Sequence, residues 1–112
     1  MPAAYSNLYL EQGTTFTATI VIDDVYNDIY DLTGYIVSSQ IRKSYYSANA
    51  TATFSTNINI GQGSITLDLT ADETANVKPG RYVYDTVIIE PSTNTKTRVL
   101  EGVVDVSPGV TR

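Results

Sequence analysis

The sequence predicts an all-β fold, a single antiparallel β-sandwich of about seven strands, on three observations. Apolar and hydroxyl residues alternate at period two along most of the chain. Turn signals rich in Gly, Pro, Asn and Asp break that alternation roughly every eight to twelve residues, the spacing of small sandwiches. Only one stretch, Thr70 to Asn76, carries a helix-start signature. At 112 residues the chain is long enough for one core and too short for two, so a single domain over residues 1–112 is expected. A closed barrel satisfies the same alternation and is the alternative architecture.

The elements follow in order. Leu8 and Leu10 alternate with Tyr9 and Glu11, a short first strand that ends at Gln12 and Gly13. Thr15 to Ile22 is the clearest strand, with Phe16, Ala18, Ile20 and Ile22 on one face and threonines opposite. Asp23 to Asp31 interrupts the pattern as a loop or loosely paired hairpin. Tyr35, Val37, Ser39 and Ile41 then share a face of a third strand that Arg42 and Lys43 close. Ser44 to Thr56 is weakly patterned, although Thr51, Thr53 and Phe54 fit a short edge strand. Asn57 to Ile60 reads as a strand followed by a tight turn at Gly61, Gln62 and Gly63. That turn delivers Ile65, Leu67 and Leu69 inward, with Ser64, Thr66 and Asp68 outside. Thr70 and Glu73 stand at capping-box spacing, which predicts one short helical turn over 70–76. Pro79 and Gly80 reverse the chain before a long strand through Tyr82 and Tyr84. Pro91 to Thr95 forms a hairpin turn, and Thr97 to Val106 is the last strand, with Leu100, Gly102, Val104 and Val106 on one face. The first and last strands are the expected sheet edges, and bare edges invite pairing with another chain.

Composition removes most chemistry. The chain has no cysteine and no histidine. Disulfides, thiolate metal sites, Cys–His nucleophiles, Ser–His–Asp triads and zinc sites are therefore excluded, and only carboxylate chemistry remains to an enzyme. Neither an enzymatic activity nor a cofactor is expected. Twelve acidic against seven basic residues give a net charge of −5, which repels phosphate backbones, and no basic face is visible. The residues Met1 to Tyr5 hold neither the basic nor the apolar run of a signal peptide, and no apolar stretch approaches membrane-spanning length. A soluble protein without nucleic-acid or membrane partners is the expectation.

Two groups of residues are candidate sites. Asp23, Asp24, Asp28 and Asp31 concentrate carboxylates in one loop, as a calcium ion would require. Their spacing does not follow an EF-hand loop, and a solvated turn is the competing reading. As a glycosidase pair they lack any apolar neighbourhood that would raise one pKa. The second group is aromatic. Among nine tyrosines, Tyr26, Tyr30, Tyr35, Tyr45 and Tyr46 lie in or beside the loops that flank the third strand. Tyr26, Tyr30, Tyr45 and Tyr46 are candidates for an interaction surface, because exposed tyrosines supply rigid amphipathic contact area. Tyr45 and Tyr46 are the pair least explained by strand alternation, and cross-strand packing is the other reading of the rest. Arg42 and Arg98 are assigned as cross-strand partners of Asp85 or Glu101.

A tyrosine just after a turn at the start of a late strand is how the tyrosine corner of immunoglobulin-like sandwiches begins. Gly80 and Tyr82 occupy that position, with the acceptor expected between Thr70 and Ala75; a plain half-buried strand tyrosine is the alternative. The segments 31–35, 40–42, 63–67, 79–85 and 98–106, with Pro79-Gly80-Arg81-Tyr82 and Leu100-Glu101-Gly102-Val103 at their centre, carry a resemblance over Leu8 to Val106. The chain resembles the immunoglobulin-like amino-terminal domain of upper baseplate proteins of tailed bacteriophages, and small freestanding structural proteins of marine and cyanobacterial phages. That resemblance implies a virion component, assembled in the host cytoplasm, that docks in several symmetric copies on other phage structural proteins. A tail position (baseplate, neck or fibre attachment) and a capsid decoration role both fit it. A glycan-binding adhesion module stacking sugars on Tyr45 and Tyr46 is the reading from another class.

Overall fold

A computed structural model of the protein describes residues 4–22 and 32–110. Two facing sheets are built from β1 (Ala4–Tyr5), β2 (Leu8–Glu11), β3 (Phe16–Val21), β4 (Ile36–Arg42), β5 (Ala52–Thr53), β6 (Ser55–Asn59), β7 (Ser64–Leu69), β8 (Gly80–Glu90) and β9 (Thr95–Ser107). Among the described residues the one α-helical turn is α1 (Ala71–Ala75), and a 3-10 turn spans Ile60–Gln62. The larger sheet runs β1-β9-β8-β4-β5 with β2 also on β9, and the smaller runs β3-β7-β6. Counting β1 with β2 and β5 with β6 as interrupted strands reduces the nine segments to seven. This arrangement, β3-β7-β6 against β4-β8-β9, is the strand order of an immunoglobulin-like sandwich.

Period-two patterning produces the core as expected. Leu8, Leu10, Ile41, Ile65, Leu67, Leu69, Tyr82, Tyr84, Ile88, Leu100, Val104 and Val106 all face inward and are buried. Each buried aliphatic side chain of this kind contributes about 1.5–3 kcal/mol through apolar area removed from water. Phe54 is where the chain changes sheets: β5 pairs with β4 and β6 with β7 on either side of it. Its ring bridges the layers, 5.9 Å from Phe16 and 6.3 Å, edge-on, from Tyr84. Thr70 accepts from the Glu73 amide while the Glu73 carboxylate accepts from the Thr70 amide, so the capping box forms in full. Buried Thr74 ties α1 to the turn after β2, donating to the Thr14 carbonyl at 2.7 Å and accepting from the Gly13 amide at 3.1 Å.

Four expectations are corrected. The last strand is not an edge, because β1 and β2 run parallel to β9 on its outer side. The edges are instead β1/β2 and β5 in one sheet and β3 and β6 in the other. Ser64, expected outside, is buried between its ladder partners Val21 and Asn59 on the central strand of the smaller sheet. Tyr82 does form a corner bond, donating at 2.7 Å, but to the carbonyl of Lys78 and not to the 70–75 segment. The turn at Pro79 and Gly80, where Gly80 adopts φ 146°, folds the Lys78 carbonyl back within reach of the ring. Finally, Arg42 does not pair with Asp85 or Glu101; Gln40 and the Ser47 carbonyl hold it instead.

Gly102 is fixed by a close approach. A Cβ there would lie 2.0 Å from the Ser6 carbonyl oxygen, at the junction of β1 and β2. Gly102→Ala is therefore expected to push Ser6 off β9. The measurement is the denaturant midpoint together with amide exchange at Ser6, whose N–H bonds the Glu101 carbonyl at 2.9 Å; lowered stability with loss of that protection is the expected outcome.

Candidate interaction surface

The outer face of the larger sheet carries the densest set of exposed functional groups among the described residues. Strand register arranges it in rows. Gln40 lies opposite Asp85, which lies opposite Glu101 and then Tyr5. Arg42 lies opposite Val83 and Val103, and Arg81 opposite Asp105 and Tyr9. Arg98 reaches both Asp85 at 3.2 Å and Glu101 at 3.5 Å, and Arg81 reaches Asp105 at 3.1 Å. Exposed pairs of this kind contribute about 0.2–1 kcal/mol each. Their larger effect is to leave the face nearly self-neutralised, with half-buried valines between the charges.

Tyrosines stand at both margins of this face. Tyr5 and Tyr9, on the edge formed by β1 and β2, are 63% and 70% exposed. At the opposite margin the turn after β4 presents Tyr45 and Tyr46, 67% and 96% exposed. That turn is held from behind. Ser44 and Ser47 bond each other through main chain and side chain, and Arg42 donates to the Ser47 carbonyl at 2.8 Å. Lys43, next in sequence, sits 4.7 Å above the Tyr82 ring and donates to the Arg81 carbonyl. The tyrosine tips are thus presented on an anchored loop. Between Tyr45 and the sheet lies a depression of about 160 Å³ lined by Gln40, Arg42, Tyr45, Val83, Asp85 and Arg98.

The structure brings Tyr45 beside Arg42 and Arg98, and leaves Tyr46 in solvent. Asp23, Asp24, Asp28 and Asp31, together with Tyr26 and Tyr30, lie outside the described residues. Among the described residues no group of three or more acidic side chains is placed to hold a metal ion. Likewise, no buried side-chain nitrogen or oxygen lacks a hydrogen-bond partner among them. Tyr5 and Tyr9 were missed as surface residues by sequence reasoning. The signal was present for Tyr9, since alternation with Leu8 and Leu10 sends it outward.

Tyr84 has the opposite fate. Its ring is buried and its hydroxyl donates to the Ser6 carbonyl at 2.6 Å. Burial pushes its pKa up to about 12, against a smaller lowering by the side chain of Ser6.

No family model matches the chain, and no curated protein matches it. Among solved structures it is similar to the crystal structure of InlP from Listeria monocytogenes, at 17% identity and a TM-score of 0.53. The match covers 94% of this chain and 28% of InlP, so the chain spans little more than a quarter of that protein's length. At such identity the likeness speaks for the fold alone.

The Tyr84 shift fixes a pH dependence. The folded state favours the protonated phenol, so its contribution is complete below the ordinary tyrosine pKa of about 10 and is lost as pH rises through about 12. Tyr84→Phe should lower stability by about 0.5–1.5 kcal/mol at neutral pH through loss of the Ser6 bond. Denaturant midpoints followed from pH 8 upward should show the difference from the unsubstituted protein shrinking above pH 10.

Proposed function

We propose that this chain is a non-enzymatic structural subunit of a tailed-bacteriophage particle, an immunoglobulin-like module that docks on a larger assembly of other phage structural proteins. The observation that carries the reading is the outer face of the larger sheet, where Tyr5, Tyr9, Tyr45 and Tyr46 stand exposed at both margins of a rigid frame. Tyrosine supplies large contact area at low entropic cost, and a self-neutralised centre removes the charge penalty of covering the face. The resemblance to upper baseplate amino-terminal domains supplies the virion context, and it rests on strand-and-turn segments with no catalytic residue among them. In the tail, neck or fibre attachment the module would meet its neighbours through this face and its sheet edges; on the shell it would act as a decoration subunit.

The depression beside Tyr45 favours a second reading. An aromatic ring next to Arg42, Asp85 and Gln40 combines a stacking surface with donors and acceptors, which is the chemistry a sugar uses. Loss of a glycan-array signal in Tyr45→Ala would support an adhesion module, whereas a docking subunit should give no such signal.

Quantitative mass spectrometry of purified particles tests the main reading. The protein should be present in fixed stoichiometry to the major capsid protein. A ratio near one is expected of a decoration subunit, and a ratio lower by an order of magnitude or more is expected of a tail or neck component. Its absence from particles would contradict the virion reading.

A further inference from the structure

Among the described residues the smaller sheet ends at β3 on one side. In this chain the first strand, interrupted as β1 and β2, lies wholly on β9, so nothing among the described residues pairs with the outer edge of β3. The polarity of that edge follows from one bond. The Ile22 amide donates to the Gly63 carbonyl at 2.8 Å, which makes Ile22 and Gly63 a hydrogen-bonded pair of the antiparallel ladder. Backbone groups alternate in direction along such a strand, so Ile20, Ala18 and Phe16 also address β7. Thr17, Thr19 and Val21 therefore turn their N–H and C=O groups away from the sheet, toward the open side.

Within the strand itself the sequence features that normally protect such an edge are missing. Phe16 to Val21 contains no charge and no proline, and the β3–β7 register runs without a bulge. Its residues are nearly all β-branched or aromatic, the composition that pairs best. The other free edges among the described residues are less suited: β1 and β2 have two and four residues and are interrupted at Ser6 and Asn7, β5 has two residues, and β6 carries Asn57 and Asn59. The inward side chains point the same way. On β7, Ile65, Leu67 and Leu69 are sealed, whereas their β3 partners Phe16, Ala18 and Ile20 are only half-buried, as the flank of a sheet awaiting a further strand would be.

Charge selects the occupant. Asp68 lies on the neighbouring strand, its carboxylate accepting from Thr17, and in sequence Glu11 precedes β3 while Asp23 and Asp24 come after Ile22. A second copy laid on β3 would bring two chains of net charge −5 together, each with Asp68 on the strand beside the edge. We propose that β3 is a strand-addition site for an extended segment of a different polypeptide, with alternating apolar or β-branched residues opposite Phe16–Val21 and basic residues at its ends. This deepens the docking role proposed above, since it names the edge and the chemistry of the partner. It does not require that the partner be a phage protein.

A direct test uses a fluorescent seven-residue peptide alternating valine and threonine between terminal lysines, titrated onto the intact protein with backbone chemical shifts recorded in parallel. Binding with shifts concentrated at Thr17, Thr19 and Val21 is expected, and a peptide with terminal glutamates should bind at least tenfold more weakly. Thr19→Pro removes one outward N–H and leaves the ladder to β7 intact, so it should fold and weaken binding at least tenfold. Val21→Pro is the second variant should Thr19→Pro fail to fold. Absence of binding, shifts mapped elsewhere, or full affinity in a folded proline variant would overturn the proposal. These outcomes are independent of whether the protein is found in particles.

Discussion

The contact on which the rest of the structure depends is the approach of the Ser6 carbonyl to Gly102. Three groups meet there: the Cβ-free surface of Gly102, the Tyr84 hydroxyl at 2.6 Å, and the Glu101 carbonyl that accepts from the Ser6 amide at 2.9 Å. Asn7 extends the junction by accepting from the Val103 amide. Together they commit the first strand to β9 in parallel. With that commitment β9 becomes an interior strand, the larger sheet gains Tyr5 and Tyr9 at its margin, and among the described residues no strand pairs with the outer side of β3. One buried tyrosine and one glycine thus place Tyr5 and Tyr9 at the margin of the larger sheet and keep the first strand off β3.

The second tyrosine of β8 has a complementary role. Tyr82 ties the start of that strand to Lys78, while Gln12 ties the turn after β2 to the Ala75 and Val77 carbonyls and to the Gly109 amide. The lower end of the sandwich is therefore cross-linked by side-chain to main-chain bonds. Such bonds contribute about 0.5–1.5 kcal/mol each, and the Tyr82 ring that they fix lies 4.7 Å beneath the Lys43 ammonium.

Much of this was legible in the sequence because the relevant signals are local. Alternation gave the inward faces of β2, β3, β7 and β9, the Thr70–Glu73 spacing gave the capping box, and the Pro79–Gly80 turn before Tyr82 gave the corner. The features that escaped are set by tertiary context. A bulge between Thr86 and Val87 in the β8–β9 register lets both Val99 and Leu100 face inward, which strict alternation forbids. The change of sheet at Phe54 and the parallel pairing of β1 and β2 with β9 depend on which sheet a strand joins, and period two carries no information about that. The acceptor of Tyr82 is Lys78 and not the expected 70–75 segment for a similar reason: the conformation of the Pro79–Gly80 turn decides which upstream carbonyl reaches the hydroxyl. In the candidate interaction surface, Tyr45 and Tyr46 stand out in the sequence because they break the pattern, whereas Tyr9 obeys it and reads only as the outward face of β2.

The central claim is that pinning the first strand to β9 leaves β3 with an unpaired backbone edge. Residue-resolved amide exchange on the free protein addresses it most directly. The account predicts alternation along one strand, with the amides of Thr17, Thr19 and Val21 exchanging far faster than those of Ala18 and Ile20 between them. Uniform protection from Thr17 to Val21 would contradict it, because those amides would then have a partner that the described architecture does not provide.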